Sequence, residues 1–411
     1  MHRAISAAFV FFLPVWVIAQ GSRFRVQNHS GILRKSEAVV VSRMILKDLI
    51  SIPEKKVAAL YIKDQLVPSQ MDDLNGDGQW DELAFQVDME RNSELEVRVK
   101  WFSPEDAPVF PSRVHAALWK KEGKNGTFRM VQNELLPEMD GKEPVGESPY
   151  RFGGPVWESE HVAFRSIIGS GFFTLPLAKS GHRLLKDTIR LDADSPGRVS
   201  GVLPLDSGLG LGGFAVLSNG VFRRVEKNGA SFYREIANGP VRAVFDVIYE
   251  DWQPDHQIIN VRQRISIWAG QQGFKTELSF TGFEQPAEVL INFPVLPQIA
   301  APEFYSINKA FSSMFWHGNL NDDIKNRFGA GLLFPRNLMA GVLSDQQKAA
   351  LPGKKGKNAG MLFKLTSGQI LEYFIFTGWE KENEFFGNSV QFKNTISDFG
   401  YSLETPLKIV R

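Results

Sequence analysis

Cysteine is absent from the 411-residue chain. Its absence excludes disulfide bonds, thiolate nucleophiles, cysteine-based metal sites and a lipid anchor on cysteine. An excess of charge of one sign is also lacking, because 47 Lys and Arg side chains are balanced by 46 Asp and Glu side chains and the formal net charge is +1. Without a basic excess or a long run of like charge, we predict no nucleic-acid partner.

Long apolar runs are lacking beyond residues 1–20, which read MHRAISAAFVFFLPVWVIAQ. A short basic start precedes an apolar stretch that Pro14 interrupts, and small residues follow near Ala19. This layout is typical of a secretory signal peptide, and the run is too short and too broken for a membrane span. We therefore predict cleavage near Ala19 or Gln20 and a periplasmic or secreted protein with no membrane insertion after cleavage. The alternative is an uncleaved anchor.

Helical periodicity is weak in the rest of the chain, and short strand-like segments dominate. Apolar and polar residues alternate in 95–101 and in 259–267, which is the pattern of half-buried strands. Short helical turns fit only Asp322 to Arg327 and Asp345 to Leu351. Further strand candidates are Ala84 to Val87, Val241 to Tyr249, Thr276 to Phe280 and Ile370 to Phe376.

Many short strands without intervening helices predict an all-β fold, in the form of a large β-sandwich with few short helices. We treat residues 21–411 as a single large sandwich domain. We place a soft boundary in the Pro-rich stretch 103–111, with a small β domain leading into a large one as the alternative.

Residues 150–165, which read YRFGGPVWESEHVAFR, form the window richest in chemically useful side chains. An aromatic ring, two acids, a histidine and a guanidinium follow a Gly-Gly-Pro turn. Period-two alternation predicts Glu158 and Glu160 on one face of a strand and Trp157 and His161 on the other. The simpler interpretation is an edge strand with a solvated polar face.

Oxygen-bearing residues recur at alternate positions of the segment DLNGDGQWDE, residues 73–82. Calcium prefers several hard oxygen ligands, and a tight turn lets such groups converge. The acid that closes a full EF-hand loop is missing, because Ala84 occupies its position, and a strand follows the loop. We predict a structural calcium ion here, with an ion-free hairpin turn as the alternative. The candidate ligands are Asp73, Asn75, Asp77, the Gln79 carbonyl and Asp81.

The Gly-rich run 206–213 superficially resembles a phosphate-binding loop. It lacks the Lys-Ser/Thr ending of such loops, and its glycine spacing opens no helix. We therefore predict no nucleotide and no other organic cofactor.

Two further histidines are candidates for chemistry. His182 stands among basic residues, and like charge disfavours its imidazolium form, which keeps a base available near neutral pH. The alternative is a solvated basic loop. His317 lies beside an aromatic residue and before Gly318, where a packed polar residue is the more common finding.

Three segments together resemble a known family: GPVWESEHVAFR (154–165), NGPVRAVFDVIYEDW (238–252) and TGWEKENEFF (377–386). The loop at 73–83 adds to them. They resemble the secreted Bacteroidetes family of unknown function numbered 4861, which is found among polysaccharide-degradation genes. The resemblance implies a β-sandwich of the galactose-mutarotase or lyase type and action on acidic plant or algal glycans. It also implies an oligosaccharide dehydratase activity on ulvan-type uronate ends.

The family offers no established catalytic set to carry over. The chain also departs from the family pattern, because Glu160 stands where the family usually has Asp and His161 is less typical. The resemblance therefore carries no catalytic role over to His161.

Elimination at C4–C5 of a uronate requires a group that neutralises the carboxylate, a base at C5 and an acid at the leaving oxygen. Arg165 suits the carboxylate, and His182 or His161 suits the C5 proton. Tyr150 or a protonated Glu158 suits the leaving oxygen. The substrate-binding candidates are Trp157, which would stack on the sugar ring, Lys186, His317 and Trp379.

Two other functions compete with this lyase or dehydratase hypothesis. A glycoside hydrolase acting on acidic glycans would use two carboxyl groups about 5 to 10 Å apart, and Glu158 and Glu160 on one strand face lie roughly 7 Å apart. A non-catalytic glycan-binding or isomerase-like protein would bind the same oligosaccharides without forming a cleavage product.

Overall fold

The fold is seen in a computed structural model, which describes residues 22–123, 126–137, 148–168, 173–177, 209–294, 299–320, 327–348 and 358–411 together with Lys179, Leu184, Leu296 and Leu351. The predicted signal peptide, His182 and Lys186 lie outside the described residues. Most of the segment predicted as a helical turn after Asp322 lies outside them too.

Strands make up most of the described chain. In the first half they are β1 (Arg23–Asn28), β2 (Arg34–Ser42), β3 (Val57–Ile62), β4 (Gln65–Val67), β5 (Ser69–Asp72), β6 (Glu82–Met89), β7 (Ser93–Phe102), β8 (Val114–Lys121), β9 (Phe128–Val131), β10 (Asn133–Leu136), β11 (Val156–Ser159), β12 (Ala163–Ile167) and β13 (Phe173–Leu177). In the second half they are β14 (Phe214–Ser218), β15 (Val221–Arg223), β16 (Ala230–Gly239), β17 (Arg242–Trp252), β18 (Ile259–Trp268), β19 (Gly273–Thr281), β20 (Ala287–Pro294), β21 (Glu303–Ser306), β22 (Phe311–Asn319), β23 (Arg327–Pro335), β24 (Met339–Val342), β25 (Asn358–Leu365), β26 (Ile370–Trp379) and β27 (Lys408–Val410). The helices among these residues are α1 (Arg43–Leu49), α2 (Asp345–Lys348) and α3 (Ser389–Glu404), with 3₁₀ turns at Pro104–Asp106, Arg151–Gly153 and Glu384–Gly387.

A small sandwich is formed by the first strands and the last one. Its five-stranded sheet has the order β27-β1-β7-β3-β4 and faces a three-stranded sheet of order β2-β6-β5. Alternation along β7 sends Val97 and Val99 inward onto Phe24 and Phe85, which form a core separate from that of the rest of the chain. The connection from this core to the next runs through residues 103–113, which include the Pro-rich stretch 103–111.

A large sandwich holds the main core. Its nine-stranded sheet has the order β10-β16-β17-β18-β19-β26-β23-β22-β21, and it faces two five-stranded sheets, β13-β12-β11-β8-β9 and β15-β14-β20-β25-β24. All three sheets contribute to one core, with Phe245, Trp157 and Phe363 as examples. An isolated bridge pairs Thr174 on β13 with Gly210, which precedes β14. The chain is therefore all-β with few short helices, as the sequence predicts.

Helix α3 covers part of the outer face of the nine-stranded sheet. The Asn388 side chain caps its first turn by accepting from the backbone N–H groups of residues 390 and 391. Phe392 and Ile396 are its buried apolar residues. They approach β23 at Gly329 and Gly331, where any side chain would collide with them. None of the helices in the described part of the chain is long and apolar enough to cross a membrane.

Candidate functional site

Three chain segments meet at one end of the large sandwich: the β11–β12 turn, the β18–β19 turn and the end of β26 with the residues that follow it. The Ser159 hydroxyl donates to the Gln271 carbonyl at 2.9 Å. The Thr377 backbone N–H donates to the Gln272 carbonyl at 3.0 Å. Short turns between antiparallel strands bring these residues together although they are more than 100 positions apart in the sequence.

A buried ion pair lies beneath this meeting point. Lys179 Nζ is 2.9 Å from Glu158 Oε2, and each side chain is 1% exposed. The same ammonium donates to the Ser159 carbonyl at 2.5 Å. Removing either charge would leave the other buried without compensation, which typically costs about 3–5 kcal/mol.

Glu382 extends this charge cluster toward the surface. Its Oε1 accepts from the backbone N–H of Lys179 at 2.5 Å, and the side chain is half-buried. Burial raises the pKa of Glu382 to about 7, although the Lys179 N–H and ammonium partly oppose the shift. A carboxyl group that exchanges its proton near neutral pH suits general acid or base catalysis.

Two more ionisable side chains share the sheet face of Glu158. His115 on β8 stands directly opposite Glu158 in the strand register, and it is buried with Nδ1 3.3 Å from Asn238 Oδ1. Arg165 on β12 pairs with Val156, so it points to the same face one residue pair away. Burial lowers the pKa of Arg165, and its Nη1 donates to a backbone carbonyl at 3.3 Å.

A polar cleft of about 500 Å³ lies beside β26 at the same end of the sandwich. His317, Arg327 and Glu380 line it, and the Arg327 backbone N–H donates to Glu380 Oε2 at 3.2 Å. His317 Nε2 donates to the Phe386 carbonyl at 2.7 Å, which leaves Nδ1 of the neutral ring as an acceptor. The Arg327 guanidinium donates to the Gly387 carbonyl at 2.9 Å. The remaining lining residues are Gly318, Asn319, Glu384, Asn388 and Ser389.

Trp379 connects the cleft and the charge cluster along the chain. It is half-buried, packs against the edge of the main core, and has Lys381 Nζ 5.7 Å from its ring centre. Glu380 of the cleft and Glu382 of the cluster follow it within three positions. Of the residues predicted from the sequence, Trp379, Glu158 and His317 therefore lie at this end of the sandwich.

The prediction that Trp157 stacks on a sugar is wrong. Trp157 is 0% exposed and belongs to the main core. Its ring packs against Phe164, Phe245 and Phe274 at centroid distances of 5.9, 5.4 and 5.2 Å. The strand that carries it, β11, lies between β12 and β8 with all its residues buried, so the edge-strand interpretation is wrong as well.

The direct roles predicted for Glu158 and Glu160 are also wrong. Glu158 is sealed in its ion pair with Lys179 and cannot reach a sugar oxygen. Glu160 lies in the turn after β11 and accepts from Arg113 and, at 2.9 Å, from the backbone N–H of Gly270. Neither glutamate faces open space across from the other, as a hydrolase pair would require.

Tyr150 is not brought to Glu158. It bridges Lys120 on β8, whereas Glu158 pairs with His115, and five residues of strand separate the two by about 17 Å. Tyr150 is buried, and its hydroxyl donates to Glu134 at 3.2 Å. Burial and the Glu134 charge raise the pKa of Tyr150, which makes its hydroxyl a weaker acid than that of an ordinary tyrosine.

His161 lies in the β11–β12 turn, half-buried, with its backbone N–H donating to the Ser159 hydroxyl at 3.1 Å. It is thus close in the chain to the cluster. His182 and Lys186 lie outside the described residues, and their predicted roles stay predictions.

The Asp-rich loop at 73–82 joins β5 and β6 of the small sandwich. Asp73 accepts from the backbone N–H groups of Gly76 and Gly78 at 2.7 Å each. Asp81 accepts from the Leu74 N–H at 2.8 Å. The predicted metal ligands of this loop are all oxygen atoms, the ligand type that a hard cation prefers. No three acidic or histidine side chains converge among the residues that the structure describes, so calcium there stays a prediction and carries no step below.

Sequence reasoning missed Lys179 and Glu382 as site residues. A buried lysine leaves no sequence signal, because its burial depends on an acid that folds onto it from another strand. Glu382 lies inside TGWEKENEFF, one of the segments that carry the family resemblance. Glu158 likewise lies inside one of these segments, GPVWESEHVAFR, but the sequence does not predict its burial with Lys179.

The comparisons with known proteins begin with a family model, described as Domain of unknown function (DUF4861), which matches residues 26–167 and 203–409. A search of curated proteins found no significant match. Among solved structures, the chain is similar to a protein in glycosyl hydrolase family 38 from Enterococcus faecalis, with 9% identity and a TM-score of 0.46 over 96% of this chain and 48% of that one.

Two further solved structures are similar at low identity. An α-mannosidase from Enterococcus faecalis has 9% identity and a TM-score of 0.42, over 94% of this chain and 45% of that one. A protein proposed to be an aldose 1-epimerase, from Klebsiella pneumoniae, has 7% identity and a TM-score of 0.34, over 70% of this chain and 95% of that one. The chain spans about half the length of the two Enterococcus proteins.

Proposed function

The chain belongs to the DUF4861 family, which assigns no reaction, and we propose one from its side chains. The protein is a carbohydrate-active enzyme, a carbon–oxygen lyase or dehydratase that eliminates across C4–C5 of a uronate in acidic oligosaccharides. It is exported by its signal peptide to the periplasm or the medium. The observation that carries the proposal is the half-buried Glu382, whose backbone N–H donates to the carbonyl of the half-buried Trp379 at 3.0 Å and whose pKa is raised by burial to about 7.

The proposed reaction needs a base of moderate strength at C5. Deprotonated Glu382 takes the C5 proton, the C4–C5 double bond forms, and the C4–O bond breaks. The proton then passes from Glu382 to the departing oxygen, which leaves as water or as a sugar hydroxyl. Atoms and charge balance without an oxidant or reductant. A raised pKa makes this carboxylate a better base than an ordinary glutamate, because its protonated form is favoured by burial.

The neighbouring side chains have supporting roles in this proposal. Lys179, held by Glu158, fixes Glu382 through its backbone N–H. Trp379 offers a ring on which an apolar sugar face stacks, and Arg327 in the cleft binds the uronate carboxylate. Neutralising the carboxylate lowers the cost of the carbanion that develops at C5. A guanidinium has five N–H groups, and the bond to Gly387 occupies one of them.

The test is an assay of the mature protein on ulvan, pectin and alginate fragments, followed by ultraviolet absorbance and reducing-end analysis. We expect an unsaturated uronate to absorb as it forms. Glu382→Gln should lower kcat by about 10²–10⁴-fold, the usual contribution of general acid–base catalysis. The matched control Glu250→Gln, an exposed glutamate on β17, should leave kcat unchanged.

The pH profile gives a second criterion. Because the base form of Glu382 is the active one, kcat should rise as pH increases through about 7. New reducing ends without absorbance would contradict elimination and favour hydrolysis. Saturable binding without any product would instead favour a glycan-binding protein.

A further inference from the structure

The β18–β19 turn, residues 269–272, contacts three other parts of the chain: β6, the β11–β12 turn and β26. Ala269 O accepts from Gln86 Nε2 of the small sandwich at 2.8 Å. The Gly270 N–H donates to Glu160 at 2.9 Å. The Gln271 carbonyl accepts from the Ser159 hydroxyl at 2.9 Å, and the Gln272 carbonyl accepts from the Thr377 N–H at 3.0 Å. One four-residue turn thus contacts the small sandwich, the β11–β12 turn beside Glu158 and the end of β26, which leads to Glu382.

Contacts with the small sandwich fix the position of this turn. Gln86, on β6, also donates to the Ser36 carbonyl at 2.9 Å, so its amide is fixed from two sides. Arg242 at the start of β17 is buried and binds Asp72 at 2.5 Å and Glu82 at 2.6 Å. Its guanidinium lies 5.3 Å from the ring centre of Trp268, the residue just before the turn. A buried guanidinium that binds two carboxylates in this way resists sliding of one sandwich on the other.

On the other side, the turn reaches Glu382 through a short chain of hydrogen bonds. The Ser159 hydroxyl donates to the Gln271 carbonyl, and the Ser159 carbonyl accepts from Lys179 Nζ at 2.5 Å. Lys179 N–H donates in turn to Glu382 at 2.5 Å. A displacement of the turn therefore changes the position of Lys179 and with it the burial of the Glu382 carboxyl.

We propose that Gln86 of the small sandwich is a positioning residue for Glu382, acting through the β18–β19 turn. The small sandwich then helps to position the candidate site and is not an independent domain. The inference rests on the proposed function for its catalytic consequence. The effect of Gln86 on Glu382 is measured from the pKa of the Glu382 carboxyl group and needs no substrate.

The experiment compares Gln86→Met with the matched control Gln27→Met. Methionine keeps the length of glutamine and removes both donors. Gln27 lies on β1, where its amide donates only to the exposed Glu94 in the described structure. The first readout is the pKa of Glu382, followed by carbon NMR in protein labelled at the glutamate carboxyls, with the signal identified by its loss in Glu382→Gln.

In Gln86→Met we expect the pKa of Glu382 to fall from about 7 toward its ordinary value, because a loosened turn admits water to the carboxyl. With an active substrate, kcat should fall about 10- to 100-fold with less change in KM, as displaced catalytic groups do. Gln27→Met should titrate and turn over like the wild type. Ser159→Ala, which cuts the next link, should reproduce the shift if Gln86→Met does not fold.

An unchanged Glu382 titration in a folded Gln86→Met or Ser159→Ala protein would overturn the inference. A protein that shows the shift but acts on no oligosaccharide would instead overturn the proposed function and leave the coupling standing. The two failures are therefore distinguishable.

Discussion

Two Trp-Glu pairs in the same chain have opposite environments. Trp157-Glu158 lies on an interior strand, so the ring enters the core and the carboxylate needs a buried lysine. Trp379 lies at the end of β26, where the strand leaves the sheet and the ring stays half-buried. The local sequence is alike, and the position of the strand in its sheet decides the exposure of each side chain.

Glu382 should destabilise the protein above neutral pH. Its folded pKa is raised from 4.5 to about 7, so the folded state binds the proton more tightly than the unfolded state. The associated stability is complete below about pH 4.5 and is lost as pH rises through 7. Glu382→Gln removes this dependence. The free energy of unfolding of the variant minus that of the wild type should therefore increase by about 2 kcal/mol from pH 5 to pH 8.

Urea unfolding of both proteins at the two pH values checks this expectation. An equal difference in stability at pH 5 and pH 8 would contradict the raised pKa. The same variant is expected to lose activity, so a gain in stability would show that the residue is kept for chemistry rather than for folding.

At the scale of elements, β23 and α3 depend on glycine for their contact. Gly329 and Gly331 leave part of the outer face of β23 without side chains, and Phe392 occupies the space above Gly329. An added Cβ at Gly329 would lie 2.7 Å from the Phe392 ring. That ring is fully buried and rigid, so the helix would have to shift.

Gly329→Ala should therefore lower the free energy of unfolding by about 1–3 kcal/mol, the usual cost of overpacking a core. The control is Gly31→Ala, where an added Cβ meets nothing within 4 Å. Chemical denaturation measures both. A neutral Gly329→Ala would mean that α3 is held more loosely than its packing indicates.

At the scale of the whole molecule, the Asp-rich loop joins the two sandwiches. Its Leu74 carbonyl accepts from Arg234 at 3.4 Å and from Arg264 at 3.3 Å, and both arginines belong to the nine-stranded sheet. An ion that ordered this loop would stabilise the contact between the sandwiches as well as the hairpin. Calcium binding would then affect the stability of the complete protein.

Calcium is predicted to raise the melting temperature of the protein over that in a chelator. At a concentration of 100 times Kd the stabilisation amounts to about 2.7 kcal/mol. Asp73→Asn should abolish the rise, and Asp64→Asn, an exposed aspartate outside the loop that pairs with Arg98, should retain it. Melting curves that are identical with and without calcium would remove the predicted ion.

The sequence by itself determined the β class, because alternation is local: the segments 95–101 and 259–267 are β7 and β18, and Asp345 begins a helical turn. It also identified the family, since its motifs are contiguous. Only the tertiary structure decided which acid is buried with Lys179 and which carboxyl has a raised pKa. Those properties depend on contacts of Lys179 with Glu158, 21 positions away, and with Glu382, 203 positions away, and local sequence does not encode such contacts.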